Sequence, residues 1–203
     1  MPATKPLPLR RRAAFQHGGH LVEFALVAGV FLLLVFGIVE FARMFYVFNT
    51  VQEVTRRAAN AAIHANFRDQ DRLQRIREQA VLRDSPGALP LGAPVTDRHV
   101  RIEFLADPGA GSGFDALRAI PAGQLPACPL RNRHVCMANP RAANCIRFVR
   151  ASVCDPLEQA RCEQARMGLV IPALAFSVAV PRATTILPVE SLGYWPGMGD
   201  CPP

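Results

Sequence analysis

One uncharged apolar run dominates the N-terminal part of the chain. Residues Phe24–Val39 read FALVAGVFLLLVFGIV, and as a helix they are about 24 Å long at about 1.5 Å per residue. Leu21 and Val22 before the run, and residues 41–48 after it, supply the length required by a bilayer core of roughly 30 Å. The pattern therefore predicts a membrane-spanning helix over residues 19–48.

The next segment is free of proline and glycine from Asn49 to Leu82 and is rich in Ala, Arg, Gln and Glu. This composition predicts that the helix continues outside the membrane as a stalk over residues 49–84, ended by Asp84-Ser85-Pro86-Gly87. Small apolar residues recur along it at spacings of three and four, and we expect them to pack on the protein's own domain or on another subunit. They are Val51, Val54, Ala58, Ala61, Ala62 and Ala65.

Residues 85–203 change to prolines, glycines and short apolar runs, which is typical of a small, mainly β domain. Three segments are predicted strands: His99–Leu105, Cys145–Cys154 and Thr184–Glu190. A short helix is predicted over Asp155–Met167, and the apolar stretch Gly168–Val180, interrupted by Pro172, is predicted to form buried strands or to line a pocket. The fold class is therefore α+β, with a long N-terminal helix before the domain.

The formal net charge of +7 is unevenly distributed. Lys5, Arg10, Arg11 and Arg12 lie within the first 18 residues, which contain no acidic residue, so the rest of the chain carries only +3. A positive end followed by an apolar helix is a topology signal that keeps the N-terminus in the cytoplasm. Nucleic-acid binding, which needs basic residues along a face, is not favoured.

A cleaved secretory signal is the competing interpretation of the apolar run. Such a signal ends in small residues of an A-x-A type. Here the run continues into Glu40-Phe41-Ala42-Arg43-Met44. Glu40 and Arg43 are three residues apart, so we expect them to form an ion pair at the membrane edge, and Phe45, Tyr46 and Phe48 resemble an interfacial aromatic belt.

Six cysteines lie in the last 76 residues, and none forms a C-x-x-C pair. A zinc or redox site would favour such a pair, whereas an even set beyond a membrane segment predicts disulfides in an oxidising compartment. The spacing leaves all 15 pairings open. The disulfide candidates are Cys128, Cys136, Cys145, Cys154, Cys162 and Cys201.

A basic leader ends at Gly18 and is followed by Gly19-His20-Leu21-Val22-Glu23-Phe24. A glutamate five positions after a glycine, at the start of an apolar helix, resembles the processing site of type IV prepilins and pseudopilins. The resemblance implies cleavage between Gly18 and Gly19 by prepilin peptidase. The alternative is an ordinary membrane-edge glutamate whose carboxylate lies among the lipid head groups.

Three ordered blocks carry a more specific resemblance. Residues 21–27 (LVEFALV), 36–43 (FGIVEFAR) and 54–62 (VTRRAANAA) resemble the TadE-like family, which contains pseudopilins of the tight-adherence, or Flp pilus, system. The similarity covers about residues 18–65. Many members carry a proline after the first block, where this chain has Ala28-Gly29.

This resemblance implies a pilin-like protein in the inner membrane of a bacterium, with its C-terminal domain in the periplasm or outside the cell. The implied partners are the bilayer, prepilin peptidase, other pilin-like subunits and the pilus assembly machinery, and Glu23 would pair with the N-terminal amine of a neighbouring subunit. A permanently anchored exoplasmic binding or structural protein with an intact leader is the alternative. No nucleophile-and-base, phosphate-binding or metal motif predicts an enzyme, a cofactor or a metal.

Overall fold

The computed structural model describes residues 19–109, 113–158, 161–169, 177–197 and 201. The chain divides into two compact units, Met1–Phe41 and Ala42–Pro203. In the first unit the described residues are entirely helical. In the second unit, helices and strands share one hydrophobic core.

Three α-helices are present in the described residues: α1 at Gly19–Ala62, α2 at Gln70–Ala80 and α3 at Pro129–Ala138. Asp69 caps α2 by accepting a hydrogen bond from the Arg72 amide at 2.8 Å. Pro129 begins α3, where its missing N–H costs no helical hydrogen bond.

The strands of the described residues form two antiparallel sheets. The larger sheet has the order β2-β1-β3-β6, formed by Arg118–Ala119, Val100–Ala106, Phe148–Val153 and Thr184–Pro188. The smaller sheet pairs β4 (Arg166–Gly168) with β5 (Ser177–Ala179). The predicted strands near residues 99–105, 145–154 and 184–190 correspond to β1, β3 and β6.

The register of the larger sheet places its alternate residues on two different faces. Ile102 lies opposite Ala151, and Ala151 lies opposite Thr185, so these three share one face. The Thr185 hydroxyl is 2.9 Å from the Thr55 hydroxyl of α1, which identifies the face that packs on the helix. The opposite face carries the row formed by Arg101, Ser152 and Thr184.

The small residues of α1 are buried in this packing. Val51, Val54, Ala58 and Ala62 of α1, and Ala65 just beyond its end, are each at most 6% exposed, and Ala61 is partly buried against the same core. These small apolar residues were expected to pack either on the protein's own domain or on another subunit. The structure shows packing on the protein's own domain. The second half of α1 is a core element of the domain.

The helical segment after residue 49 differs from the predicted unbroken stalk. The chain leaves the helix at Ala62 and re-enters one at Gln70. Between them, Asn66 accepts a hydrogen bond from the Arg68 amide at 2.9 Å, and Phe67 is fully buried with its ring edge against Phe104. Burial of Phe67 and the two side-chain caps favour a turn over continued helix.

The prediction of a helix over residues 155–167 is wrong. Its described residues form turns that lead into β4. Asp155 accepts a hydrogen bond from the Leu157 amide at 2.9 Å, and the Cys154–Cys162 disulfide closes a short loop around this segment. In the predicted apolar stretch 168–180, Gly168 ends β4 and Ser177–Ala179 forms β5, whereas residues 170–176 lie outside the described residues.

Candidate functional site

The first unit presents an apolar helical surface. Along Gly19–Phe41, side chains on all sides of the helix are exposed, among them Leu21, Phe24, Leu26, Phe31, Leu33 and Ile38 at 61–74%. At about 1.5 Å per residue this stretch is about 35 Å long, which exceeds a hydrocarbon core of roughly 30 Å. Within the described residues, α1 is the one helix long and apolar enough to cross a membrane. A helix that is apolar all round and not buried in protein is suited to lipid or to other such helices.

Two ionisable groups lie near the start of this surface. His20 and Glu23 are one helical turn apart, and the His20 Nδ1 is 3.8 Å from a Glu23 carboxylate oxygen. Their side chains are 93% and 76% exposed, so both remain open to a partner from another molecule. Glu23 was predicted from the sequence pattern and His20 was not, although the three-residue spacing places them on one side of a helix.

The predicted processing site is only partly described. Gly18 lies outside the described residues, whereas Gly19 is the first residue of α1, with open space around the position of a Cβ atom. Cleavage between these two residues stays a prediction.

Arg43 contacts backbone carbonyls elsewhere in the second unit, to which it belongs. Its guanidinium donates to the Ala93 carbonyl at 3.1 Å and to the Gly168 carbonyl at 3.3 Å. The expected pairing with Glu40 stays a prediction. Val47 is fully buried in the domain core. The membrane span predicted to end at residue 48 therefore overlaps the compact unit that begins at Ala42.

The predicted aromatic belt is divided by the domain. Phe45 is 52% exposed, whereas Tyr46 and Phe48 are partly buried against the core. The three aromatic residues therefore do not form one exposed surface.

The six candidate cysteines form three disulfides. They join Cys128 to Cys201, Cys136 to Cys145 and Cys154 to Cys162. No group of three or more His, Cys, Asp or Glu side chains with metal-binding geometry occurs in the part of the chain that the structure describes.

A buried polar cluster, which the sequence did not reveal, is centred on Asp97. Its carboxylate accepts hydrogen bonds from the Gln74 amide and from the Gly87 backbone N–H, both at 2.9 Å. Glu78, only 7% exposed, accepts from the same Gln74 amide at 3.1 Å. The cluster holds the loop after α2 against the helix.

Burial shifts two pKa values around this cluster. Desolvation lowers the pKa of Arg77, against the attraction of Asp97, which raises it. Desolvation also lowers the pKa of His99, against the raising effects of Asp155 and Asp97. The His99 Nδ1 accepts the Thr96 backbone N–H at 3.0 Å, which requires that nitrogen to be unprotonated.

Similarity to a known protein family is found in the N-terminal segment of the chain. The family model described as TadE-like protein matches residues 18–60. This segment is TadE-like. The suspected resemblance to the TadE-like family is confirmed there, and the TadE-like segment contains both the exposed apolar helix and Glu23. Neither the curated proteins nor the solved structures include a significant match to the chain.

Proposed function

We propose that the protein is a minor pseudopilin-like membrane protein that takes part in assembly of a tight-adherence (Flp, type IVb) pilus or a related secretion apparatus. The observation that carries this proposal is the exposed apolar surface of Gly19–Phe41, with the Glu23 carboxylate near its start, inside a TadE-like segment. The protein acts by assembling with other pilin-like subunits and the pilus machinery, and not by catalysis.

The proposed chemistry begins with prepilin peptidase, which cleaves between Gly18 and Gly19. Cleavage creates an α-ammonium group at Gly19. A carboxylate in lipid is costly unless it is paired, so Glu23 of one subunit binds the α-ammonium of a neighbour. His20 is the local alternative partner of Glu23 before assembly, because its ring lies within 3.8 Å.

The proposed location is the bacterial inner membrane, with the N-terminus in the cytoplasm and the C-terminal domain in the periplasm or outside the cell. Two observations support this orientation. The leader holds Lys5 and three arginines without an acidic residue, which favours retention in the cytoplasm. The domain contains three disulfides, which persist in oxidising compartments.

Intact mass of the protein tests the processing step. In cells that contain prepilin peptidase, the purified chain is expected to begin at Gly19, and in cells that lack it the chain should retain residues 1–18. An intact leader in both strains would contradict processing. That result would favour the second candidate, a permanently anchored exoplasmic binding or structural protein, which the exposed apolar helix also supports.

A second experiment tests the role of the carboxylate. Glu23→Gln should insert in the membrane normally, because the helix becomes less polar, but it should reduce piliation by about tenfold or more, because the neighbour's amine loses its partner. The matched control is Glu53→Gln on the same helix, where Glu53 forms a half-exposed pair with Arg57 at 2.8 Å. Such surface pairs contribute little, so the control should retain piliation. Normal piliation in the Glu23 variant, with the native copy deleted, would contradict the proposed pairing.

A further inference from the structure

A basic cleft lies on the face of the larger sheet that does not pack on α1. Arg101 and Glu103 of β1 point to this face together with Arg150 of β3, since Glu103 lies opposite Arg150 in the register. Arg161 and Arg182 complete the cationic lining of a cleft of about 330 Å³. This volume is within the range of small-ligand sites, roughly 300–1,000 Å³.

The one carboxylate in the described lining of the cleft, Glu103, is already engaged. Glu103 is held by the Arg101 guanidinium and by Arg150, whose Nε donates to Glu103 Oε2 at 2.8 Å. Its side chain is 11% exposed. Two arginines therefore neutralise and position Glu103. Four guanidinium groups against one carboxylate give the described lining of the cleft a net charge of +3.

The other two arginines are exposed at the rim. Within the part of the chain that the structure describes, neither Arg161 nor Arg182 lies within salt-bridge distance of a carboxylate. Each can therefore turn its guanidinium toward a ligand without breaking an ion pair of the fold.

A disulfide and two hydroxyl side chains also border the cleft. Ser152 is 3% exposed, and its Oγ is 3.4 Å from Cys154 Sγ and 3.7 Å from Cys162 Sγ. The bridge thus holds the loop that carries Arg161 against the strand. Thr184 also lines the cleft and supplies a second hydroxyl.

The basic surface continues beyond the cleft. An adjoining depression of about 470 Å³ shares Arg182 and Thr184 with it and adds Arg56 of α1. A ligand larger than its anionic group therefore has room to extend toward the helix. Aromatic side chains, on which nucleic-acid bases stack, are absent from the described lining of both depressions.

We propose that this cleft binds a phosphate monoester group. Guanidinium groups recognise phosphate with paired, charge-assisted hydrogen bonds, and a group of charge near −2 matches the net positive charge better than a single carboxylate does. Arg161 and Arg182 bind the oxygens, and Arg101 and Arg150, fixed by Glu103, supply the surrounding positive field. The site is independent of the proposed role in pilus assembly.

Arginine-specific labelling with phenylglyoxal, read by mass spectrometry on the full chain in neutral detergent, tests the site. Glycerol phosphate should protect Arg161 and Arg182 saturably, by about tenfold, whereas sodium chloride at equal ionic strength should not. Arg72 and Arg75, exposed on α2 and outside the cleft, are internal controls whose labelling should not change. Equal protection of all four arginines would contradict the proposal, because it would show general screening only.

A second experiment distinguishes a soluble phosphate monoester from the phosphate head group of a lipid. The full chain is reconstituted in neutral phosphatidylcholine vesicles, with or without phosphatidic acid, whose head group is a phosphate monoester. Protection by glycerol phosphate identifies a soluble ligand, and protection only by phosphatidic acid identifies a lipid head group. Failure of both to protect would overturn the proposal. As a check on the residues, Arg161→Gln with Arg182→Gln should weaken binding by about tenfold or more, whereas Arg72→Gln with Arg75→Gln should not.

Discussion

His99 shows how burial sets the ionisation of one residue. The residue is 7% exposed, its Nδ1 accepts the Thr96 amide, and its carbonyl accepts the Cys154 amide at 2.9 Å. Protonation of the ring would remove the acceptor for Thr96 and place a charge in a desolvated position. Asp97 and Asp155 offset that cost only in part, because the net effect is a lowered pKa.

Acid should therefore destabilise the domain through His99. The unfolded chain binds this proton with a pKa near 6.5, and the folded chain binds it less readily. The contribution of neutral His99 to the free energy of unfolding is complete above about pH 6.5 and is lost as the pH falls through the lowered pKa of the folded state. His99→Asn, which keeps an acceptor but does not titrate, should flatten the pH dependence of unfolding in urea between about pH 7 and about pH 5. Identical pH dependence in the two proteins would contradict this role.

At the scale of elements, α1 combines two environments in one continuous helix. Its residues before Ala42 are mostly exposed apolar side chains, and its later residues bury small side chains in the domain. Ala58 and Ala59 are fully buried, whereas Asn60 is exposed. Small side chains on the buried side allow close contact with the sheet, so their size is a packing requirement.

Ala58→Leu should destabilise the domain by about 1–3 kcal/mol, because the added methylenes have no space. Asn60→Leu is the matched control on the exposed side and should change the free energy of unfolding by less than about 0.5 kcal/mol. Urea unfolding of the full chain in neutral detergent, followed by circular dichroism, measures both. If Ala58→Leu left the free energy of unfolding unchanged and impaired only assembly, the small apolar residues around Ala58 would belong to an interface between subunits.

Sequence periodicity predicted the strands better than the ends of the helices. The predicted strands near residues 99–105, 145–154 and 184–190 correspond to β1, β3 and β6, whereas the predicted unbroken helix ends early at Ala62. The break between α1 and α2 contains no proline or glycine, so the composition of this segment does not predict that the helix ends there. Asp69, a good N-cap, was the available signal, but burial of Phe67 against Phe104 depends on tertiary contact and could not be predicted from local sequence.

At the scale of the whole molecule, local motifs could be predicted and distant juxtapositions could not. The TadE-like segment and its Glu23 form a contiguous pattern, so sequence was sufficient to select them. The basic cleft unites Arg101, Arg150, Arg161 and Arg182 from separate segments, and no spacing rule relates them. The same applies to the cysteines, whose residence in disulfides was predicted while their pairing required the fold.

The pairing gives the three disulfides different expected contributions. Cys128 and Cys201 are separated by 73 residues, whereas the other two bridges close separations of 9 and 8. In the chain-entropy model, a loop of 73 residues stabilises by roughly 4.4 kcal/mol and a loop of eight or nine by roughly 2.5 kcal/mol. The long-range bridge also joins Cys201 to the N-cap residue of α3, Cys128.

Replacing Cys128 and Cys201 by alanine should therefore lower the free energy of unfolding by roughly 2 kcal/mol more than replacing Cys154 and Cys162. The second variant is the control, because it also removes two sulfur atoms and one bridge. Both are compared with the native chain by urea unfolding without reductant. An equal or larger loss in the Cys154 and Cys162 variant would contradict the loop-length argument. It would show instead that the short bridge stabilises the domain mainly by holding the Arg161 loop against β3.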